Sequence, residues 1–468
     1  MPIFKPEDLA SWSGGSWTIG GIPMATGVTL DSRSVQAGDL FVALSGGKVD
    51  GHDYAEQALK AGAAGALVCR EFAKSHRHLH PLLAVDEVAA GLTGLARGYR
   101  THLSATVIGI TGSVGKTTVK ELLADMLSRK APTARTHGNW NNDLGLPLSL
   151  LAAEQDVAYG VFEVGMNQPG EIATLSSLLR PHHAVITPIG PAHMEAFSCV
   201  QDVANEKADL VRQVSAGGTV VVSRDDTWCD LVSGATEAEV ITVSLQEEAD
   251  LYGLPTERWP GSFTARDRNG GKVQVEVTLP GDYFKLNVLL AAAAACRLGV
   301  AWEDIRQAVI DYQPLAMRWA VEQVEGVTVV NDAYNANPMS MRQALLACHE
   351  LPLDGRRWLV LGSMLELGKN AEQHHAELGE TAAEVQDSRV VAVGEWAEVM
   401  AAGARAAGMP EDHIAACGSV EEAVDRLSSG VEVGDGILVK ASRGARLEHV
   451  IEGWKQTWID TDQEANEN

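Results

Sequence analysis

The feature that most constrains the fold of this chain is a glycine-rich loop between an apolar strand and an amphipathic helix. The loop reads Gly-Ser-Val-Gly-Lys-Thr-Thr over residues 112–118 and follows the apolar segment 105–110. Glycines let successive backbone N–H groups and the helix N-terminus face one phosphate, while the lysine supplies a positive charge and a threonine hydroxyl supplies a Mg²⁺ ligand. The order strand, loop, helix therefore predicts an α/β domain that binds ATP.

The spacing of this loop departs in one place from the strict P-loop pattern. The residue five positions before Gly115 is Ile110, where that pattern has glycine. The helix that follows keeps the period of 3.6, because apolar residues recur every three or four positions between 119 and 127. The residues of the loop that we expect to contact ATP are Gly112, Ser113, Val114, Gly115, Lys116, Thr117 and Thr118.

The same alternation of short β-branched strands, glycine-containing loops and helices continues along the chain. This pattern predicts parallel α/β sheets. A chain of 468 residues has room for two to four domains, at about 100–200 residues each. Breaks in the pattern near residues 99–104 and 313–315 predict three α/β domains, with boundaries 1–103, 104–316 and 317–468. The central one is the P-loop-type parallel-sheet domain.

Two local patterns predict secondary structure whatever the function is. Residues 273–279 alternate between apolar and polar side chains, which is typical of a half-exposed antiparallel strand. Asn337 precedes Pro338, and asparagine at the N-cap with proline in the first helical position is a frequent helix start. We therefore expect a strand at the first segment and the beginning of a helix at the second.

The charge of the chain excludes several classes of partner. With 37 Lys and Arg against 62 Asp and Glu, the formal net charge is −25, so nucleic acid and anionic membranes are poor partners. The longest apolar run, 288–296, is far shorter than the roughly 20 residues of a membrane-spanning helix, and we expect no membrane insertion. Six scattered cysteines without a close pair favour reduced thiols and a cytoplasmic location. Small molecules remain as the expected partners.

Three polar residues follow or begin predicted elements near the phosphate loop. In doubly wound sheets ligands bind outside the carboxyl ends of the strands. Glu163 ends an apolar strand, and a carboxylate there could hold Mg²⁺. His193 follows another strand, and Lys207 lies at the predicted start of a helix. From spacing alone, a structural role remains the commoner explanation for each, and a solvated helix position the commoner one for Lys207.

A series of further motifs resembles the Mur ligases. They occur in one order between residues 31 and 448 and so cover nearly the whole chain. The segments that carry the resemblance are 31–33, 38–44, 50–53, 111–117, 138–147, 162–167, 170–172, 331–341, 362–368 and 439–443. Within the family, the block 331–341 is most similar to the members that add D-alanyl-D-alanine.

The resemblance implies an ATP-dependent, ADP-forming ligase that needs Mg²⁺. ATP would phosphorylate the carboxylate of UDP-N-acetylmuramoyl-tripeptide, and the amino group of D-alanyl-D-alanine would attack the acyl phosphate. The product would be the pentapeptide precursor of peptidoglycan, which places the chain in cell-wall biogenesis and hence in cell shape and division. Domain 1–103 would hold the UDP moiety, domain 104–316 would bind ATP, and domain 317–468 would be a Rossmann-like ligase domain. We expect a monomer.

The resemblance also assigns roles to individual residues. The catalytic set is Lys116, Glu163, His193, Lys207 and Arg318, and the metal ligands are Thr117, Glu163, His193 and a carbamylated Lys207. The additional ATP contacts are Asn287 at the adenine, Asp332 at the ribose and Asn335. The substrate contacts are Ser32, Arg33, Asn139, Asn142, Tyr334, Ser442 and Arg443. One departure is that Tyr283-Phe284 stands where the family usually has a His-Asn pair.

Other functions share parts of this pattern. A sister ligase that adds the diamino acid, or a folate-type polyglutamate ligase, would keep the phosphate loop but would not be expected to keep residues 334–341. A non-catalytic nucleotide-binding regulator would have no need of Glu163, His193 and Lys207 together. The motifs leave open whether the third residue of the peptide is diaminopimelate or lysine.

Overall fold

The computed structural model describes residues 2–47, 49–255, 261–267 and 270–466. Three sheets of mostly parallel strands follow one another along the chain, and helices cover them. This arrangement confirms the predicted α/β class with three sheet-containing units. The predicted boundaries at 103/104 and 316/317 fall in the connections between one sheet's last helix and the next sheet's first strand. They stay predictions.

The N-terminal unit contains a five-stranded sheet in the order β1-β5-β4-β3-β2, in which only β1 is antiparallel to its neighbour. Its strands are β1 (Ser16–Trp17), β2 (Gly27–Thr29), β3 (Asp39–Val42), β4 (Gly65–Cys69) and β5 (Leu82–Val85). Its helices are α1 (Pro6–Ser13), α2 (Ala55–Lys60), α3 (Arg70–Ser75) and α4 (Val88–His102), with a 3₁₀ turn at Gly51–Tyr54.

The central unit contains a nine-stranded sheet in the order β14-β13-β12-β11-β10-β9-β6-β8-β7. Its strands are β6 (Thr106–Thr111), β7 (Thr133–Arg135), β8 (Tyr159–Glu163), β9 (His183–Ile186), β10 (Thr219–Ser223), β11 (Glu239–Ser244), β12 (Leu251–Pro255), β13 (Gly261–Asp267) and β14 (Lys272–Val277). Its helices are α5 (Lys116–Ser128), α6 (Gly145–Leu151), α7 (Glu171–Leu179), α8 (Val200–Arg212), α9 (Cys229–Ser233), α10 (Asp282–Arg297) and α11 (Trp302–Ile310).

The central sheet is parallel where it carries the phosphate loop and antiparallel at one edge. Strands β12, β13 and β14 form the antiparallel edge, and the exposure of β14 alternates as predicted for residues 273–279. The longest apolar run, 288–296, lies in α10, whose side chains are buried nearly all around the helix, as a helix in the core of a large domain requires. Within the described ranges, none of the helices combines the length and the apolar character that crossing a membrane requires.

The C-terminal unit contains a six-stranded sheet in the order β15-β16-β20-β17-β18-β19, with only β15 antiparallel. Its strands are β15 (Ala320–Val324), β16 (Val327–Asn331), β17 (Arg357–Gly362), β18 (Ser388–Val393), β19 (Ile414–Cys417) and β20 (Gly436–Lys440). Its helices are α12 (Pro338–Glu350), α13 (Ala371–Ala383), α14 (Ala397–Ala406), α15 (Val420–Ser428) and α16 (Glu448–Asn466), with 3₁₀ turns at Gly368–Asn370, Glu411–His413 and Arg443–Ala445.

The helix start predicted at Asn337-Pro338 is confirmed by the geometry of α12. The side chain of Asn337 accepts the backbone N–H of Ser340 at 2.8 Å, and the Ser340 hydroxyl accepts the backbone N–H of Asn337 at 3.0 Å. This reciprocal pair satisfies two backbone donors that a helix start would otherwise leave free. The first turn of α12 is thereby fixed at the edge of a cleft between the central and C-terminal units.

The hydrophobic cores show which units are joined firmly. Helix α4 packs on α6 and α7, and its apolar side chains belong to a core that includes residues of the central unit. Tyr99 donates its hydroxyl to the Ala153 carbonyl at 2.5 Å. The C-terminal unit has its own cores, the two larger ones on the two faces of its sheet. The first two units therefore share a core, whereas the third can move with less loss of packing.

Candidate active site

Two glycines give the phosphate loop its shape. Gly112 has φ 150° and Gly115 has φ 88°, both in the region that glycine favours. A Cβ atom on Gly112 would lie 1.9 Å from Thr187 Oγ1, and one on Gly115 would lie 2.4 Å from Asn287 Oδ1. The loop thus lies against the end of β9 on one side and against α10 on the other. No side chain other than hydrogen fits at either position without displacing these groups.

The lysine and the first threonine of the loop are placed by the start of α5. The Lys116 ammonium donates to the Gly112 carbonyl at 2.9 Å across the loop. Burial lowers the pKa of Lys116, an effect that the nearby Glu163 carboxylate opposes. Thr117 is buried and donates its hydroxyl to Glu163 Oε2 at 2.8 Å. The cationic and oxygen groups predicted for a phosphate and Mg²⁺ site are therefore adjacent.

The carboxylate of Glu163 lies at the carboxyl end of β8 and is almost fully buried. Its Oε1 accepts from Asn141 Nδ2 at 2.7 Å, while its backbone N–H donates to Thr136 Oγ1 at 3.0 Å. The described residues contain no cluster of three His, Cys, Asp or Glu side chains that would form a metal site by itself. A hydroxyl and a carboxylate next to a phosphate loop nevertheless fit Mg²⁺, which is usually held by one or two carboxylates together with substrate phosphates.

Spacing alone favoured a solvent-exposed helix position for Lys207. That prediction is wrong, because Lys207 is only 2% exposed. It lies in the second half of α8 rather than at a helix start. Within the described part of the chain, the hydrogen-bonding contact of its Nζ is Met166 Sδ at 3.9 Å, which is a weak acceptor. The neighbouring Glu206 uses both carboxylate oxygens to accept the N–H groups of Gly170 and Ile172 at the start of α7.

These surroundings make Lys207 an unusual lysine. Burial and the charge of Lys116 hold its pKa well below the ordinary value. Burying an ammonium that no carboxylate hydrogen-bonds is costly, and this effect outweighs the charges of Glu206 and Glu163, which raise the pKa of Lys207. A neutral amine is the form that can react with CO₂ to give a carbamate.

His193 links the central and C-terminal units. It has φ 56°, and its Nδ1 lies 2.6 Å from Glu366 Oε2. The backbone N–H of Glu195 also donates to the Glu366 carbonyl at 3.2 Å. The His193 side chain lowers the pKa of Glu366 by hydrogen bonding and charge. The predicted metal residue thus lies in the cleft and contacts the C-terminal unit in this structure.

Arg318 enters the cleft from the C-terminal unit on a constrained backbone. Its neighbours Met317 and Trp319 both have positive φ, 62° and 58°, which is uncommon for residues with side chains. The Arg318 guanidinium lies over the Tyr334 ring, 3.9 Å from its centroid. Asp332 accepts the backbone N–H of Trp319 at 3.0 Å and so fixes the segment that bears the arginine.

A buried amide marks the end of the cleft at α10. Asn287 is fully buried, and both polar atoms of its side chain lack a hydrogen-bond partner among the described residues. Orphaned buried amides are rare, and this one lies beside the phosphate loop in the same cleft. Burial raises the pKa of the adjacent Tyr283. A side-chain amide with an unpaired NH₂ group and an unpaired carbonyl oxygen can donate to and accept from the edge of a purine.

The cleft between the central and C-terminal units has a volume of about 570 Å³, within the usual range of ligand sites. It brings together most of the residues predicted from the sequence. These are Ser113, Val114, Gly115, Lys116, Thr117, Thr118, Asn139, Asn142, Glu163, His193, Lys207, Asn287, Arg318, Asp332, Tyr334 and Asn335.

Four predicted substrate residues do not line this cleft in the described structure. Ser32 and Arg33 lie in the N-terminal unit, where Arg33 is exposed and pairs with Asp31 at 2.7 Å. Ser442 is buried and accepts the Leu365 N–H at 2.9 Å. Arg443 contacts Glu448 at 2.5 Å. Their roles stay predictions, and Ser442 as placed supports the loop after β17.

Several residues of the cleft were not predicted as site residues. Asn141 lies within the quoted 138–147 motif, so the motif could have indicated it. Met166 likewise lies within the 162–167 motif, whereas Tyr312 and Gln343 line the cleft outside every motif. Lys440 is different, because the sequence predicts it as a counter-charge at a strand end; its ion pair with Asp332 at 2.6 Å follows from the pairing of β16 with β20.

Three family descriptions of the Mur ligases match the three units of the chain in order. The family description "Mur ligase family, catalytic domain" matches residues 25–100, "Mur ligase middle domain" matches 110–295, and "Mur ligase, glutamate ligase domain" matches 317–443. The UDP-N-acetylmuramoyl-tripeptide--D-alanyl-D-alanine ligase of Bacillus subtilis is 32% identical over 426 residues, which cover 91% of this chain and 92% of that protein.

Solved structures of Mur ligases are also similar to this chain over nearly its whole length. MurF from Acinetobacter baumannii is similar with a TM-score of 0.86 and 29% identity, covering 97% of this chain and 99% of that one. MurF ligase from Thermotoga maritima in complex with ADP is similar with a TM-score of 0.79 and 27% identity, covering 93% and 98%. The chain therefore belongs to the Mur ligase family.

Proposed function

We propose that this chain joins D-alanyl-D-alanine to UDP-N-acetylmuramoyl-tripeptide in a reaction that converts ATP to ADP and phosphate. The observation that carries the proposal is the single cleft in which Lys116, Glu163 and Lys207 of the central unit face Arg318 of the C-terminal unit. Relatives that bear the name of this ligase match the chain over nine-tenths of its length. The product is the pentapeptide precursor of peptidoglycan.

The first chemical step joins two anions. A carboxylate oxygen of the tripeptide attacks the γ-phosphorus of ATP, the bond to the β-phosphate oxygen breaks, and ADP leaves. Such a transfer depends on positioning and on screening of the phosphate charge. Lys116 supplies a cation from the phosphate loop, and Arg318 supplies one from the C-terminal unit. The amide of Asn287 binds the adenine, and this contact positions the phosphates of the nucleotide at the phosphate loop.

The second step forms the amide bond. The amino group of D-alanyl-D-alanine attacks the acyl carbon, the bond from this carbon to the phosphate oxygen breaks, and the proton of the amine leaves with the phosphate as hydrogen phosphate. Residues of both units must surround the reacting atoms, since a water molecule at the acyl phosphate would hydrolyse it. The narrow cleft between α10 and α12 provides walls from both units for this purpose.

The residues present fit a divalent cation. Thr117 and Glu163 would hold Mg²⁺ next to the β- and γ-phosphates, where it supplies screening of phosphate charge. His193 and the carbamate of Lys207 would provide an imidazole nitrogen and an anionic oxygen for a second cation. Protonated lysine cannot ligate a metal, which is why the low pKa of Lys207 matters to this assignment.

The remaining assignments concern the whole molecule. The N-terminal unit, with Ser32 and Arg33, holds the UDP part of the substrate. The chain acts as a monomer in the cytoplasm, a location supported by six cysteines that are all free. Of the six, Cys348 and Cys417 are buried, whereas Cys199 is exposed.

The reaction is tested by measuring phosphate release. We expect release only when ATP, Mg²⁺, UDP-N-acetylmuramoyl-tripeptide and D-alanyl-D-alanine are all present, together with formation of the pentapeptide by mass spectrometry. Tripeptides ending in lysine and in diaminopimelate should be compared, because the third residue is not fixed by the cleft. Release with the dipeptide substrate and a diamino acid would instead identify the sister reaction.

Closure of the C-terminal unit is expected to accompany catalysis. The cleft residues come from two units that do not share a core, so substrates that contact both should draw them together. Small-angle scattering should give a smaller radius of gyration with a non-hydrolysable ATP analogue and UDP-tripeptide than without them. Identical scattering profiles would contradict this expectation.

A further inference from the structure

A fully buried lysine lies one helical turn beyond the lysine of the phosphate loop. Lys120 is four residues after Lys116 on α5, and its side chain is 0% exposed. Its ammonium donates to the carbonyl oxygens of Thr136 at 2.9 Å and Gly138 at 3.1 Å, and it pairs with Glu121 Oε1 at 2.7 Å. An ammonium has three N–H donors. All three are engaged inside the protein, so Lys120 is directed at the segment after β7 and not at a phosphate.

The segment that Lys120 holds is also the one that holds Glu163. Thr136 offers its carbonyl oxygen to Lys120 and its hydroxyl oxygen to the Glu163 backbone N–H. Further along the same loop, Asn141 donates to the Glu163 carboxylate at 2.7 Å. Both the backbone and the carboxylate of Glu163 are therefore fixed by residues 136–141. A shift of this loop would move the carboxylate or release it.

A second set of charges ties α5 to the same region. Glu121, which pairs with Lys120 through Oε1, accepts from Arg135 through Oε2 at 2.6 Å. Arg135 ends β7 and also pairs with Asp125 at 2.7 Å. This network compensates the buried charge of Lys120, which would be costly without a partner. Charged side chains therefore attach the start of the loop to α5 on both sides of residue 136, through Arg135 before it and through the contact of Lys120 with Gly138 after it.

We propose that Lys120 is a positioning residue that sets the affinity of the site for its divalent cation. The inference rests on the proposed function, in which Thr117 and Glu163 hold that cation. A neutral side chain at position 120 would leave two carbonyl oxygens without their donor and would free the loop that orients Glu163. Changes in residues that orient metal ligands typically weaken metal binding by about 10- to 100-fold. We expect a loss of this size on removal of the ammonium.

The test uses Mn²⁺ as the probe, with binding followed by electron paramagnetic resonance in the presence of ADP. The full chain is compared with Lys120→Met and with the matched control Arg100→Met. Arg100 is also a buried cation that donates to backbone carbonyls, those of Leu179 and Arg180, but it lies outside the cleft. Both variants should lose thermal stability. Only Lys120→Met should bind Mn²⁺ about 10- to 100-fold more weakly and need correspondingly more Mg²⁺ for half-maximal activity.

Each result decides a separate question. Wild-type Mn²⁺ affinity in Lys120→Met, or an equal loss in Arg100→Met, would overturn the role of Lys120. If Lys120→Met does not fold, Thr136→Val removes the hydroxyl that accepts the Glu163 N–H, and unchanged Mn²⁺ affinity in that variant would likewise overturn the proposal. Absence of Mn²⁺ binding by the wild-type chain with ADP would overturn the metal assignment itself.

Discussion

Replacing Lys116 by alanine is expected to lower kcat by about 10³-fold while the protein remains folded. The Lys116 ammonium spans the phosphate loop, and removing one such charged donor from a transferring phosphoryl group removes stabilisation that is largest in the transition state. Because Lys116 contacts one carbonyl of the loop, its loss should cost little stability. Steady-state phosphate release and a thermal unfolding curve measure the two quantities.

The control for this experiment is Lys60→Ala. Lys60 is an exposed lysine of the N-terminal unit that pairs with Glu56 on its own helix. Surface ion pairs of this kind contribute little, so both turnover and stability should match the wild type. A Lys116→Ala variant with near-normal turnover would refute the assignment of the phosphate loop.

Replacing Lys207 by methionine is expected to lower kcat by at least about 10²-fold, without loss of the fold. Methionine fills nearly the same buried space beside Met166, and it removes the nitrogen that would carry the carbamate. The modification consumes the neutral amine and CO₂ and releases one proton, which leaves an anionic carbamate. After incubation with ¹³C-bicarbonate, the wild-type chain should show a carbamate carbon resonance that Lys207→Met lacks.

The size of the effect separates two explanations for the buried lysine. If Lys207 only packs in the core, Lys207→Met should keep its activity and be more stable, because a buried amine without a strong partner is replaced by an apolar group. If the carbamate is needed, short carboxylic acids added to Lys207→Ala should restore part of the lost turnover. Full activity in Lys207→Met, with no carbamate resonance in the wild type, would exclude the modification.

The phosphate loop was predicted from the sequence in residue-level detail because its chemistry is local. Gly112, Gly115, Lys116 and Thr117 are neighbours in the chain, and their spacing fixes what they can contact. The helix start at Asn337 was predicted for the same reason, since a cap depends on residues three positions apart. Glu163 ends β8 as predicted, whereas the strand before His193 ends already at Ile186, and spacing alone did not distinguish a functional role from a structural one.

The burial of Lys207 and of Lys120 could not be predicted from the sequence. Each looks like an ordinary helix residue in the sequence, and burial of each is decided by elements far away in the chain. Lys207 is covered by packing around α8, and Lys120 is enclosed by a loop that starts sixteen residues later at Thr136. The pairing of Asp332 with Lys440 likewise joins residues 108 positions apart. No local pattern carries this information.

The sequence by itself determined the α/β class, the phosphate loop and, through its motifs, the family, because these depend on short-range spacing and on the order of segments. The tertiary structure decided which charged groups are buried, which of them are compensated, and which units share a core. Those properties depend on the distances between elements, and the free energy of a charge depends on its surroundings more than on its neighbours in sequence. The acidic chain thereby places a few cations, chiefly Lys116 and Arg318, in one cleft where anionic substrates can bind.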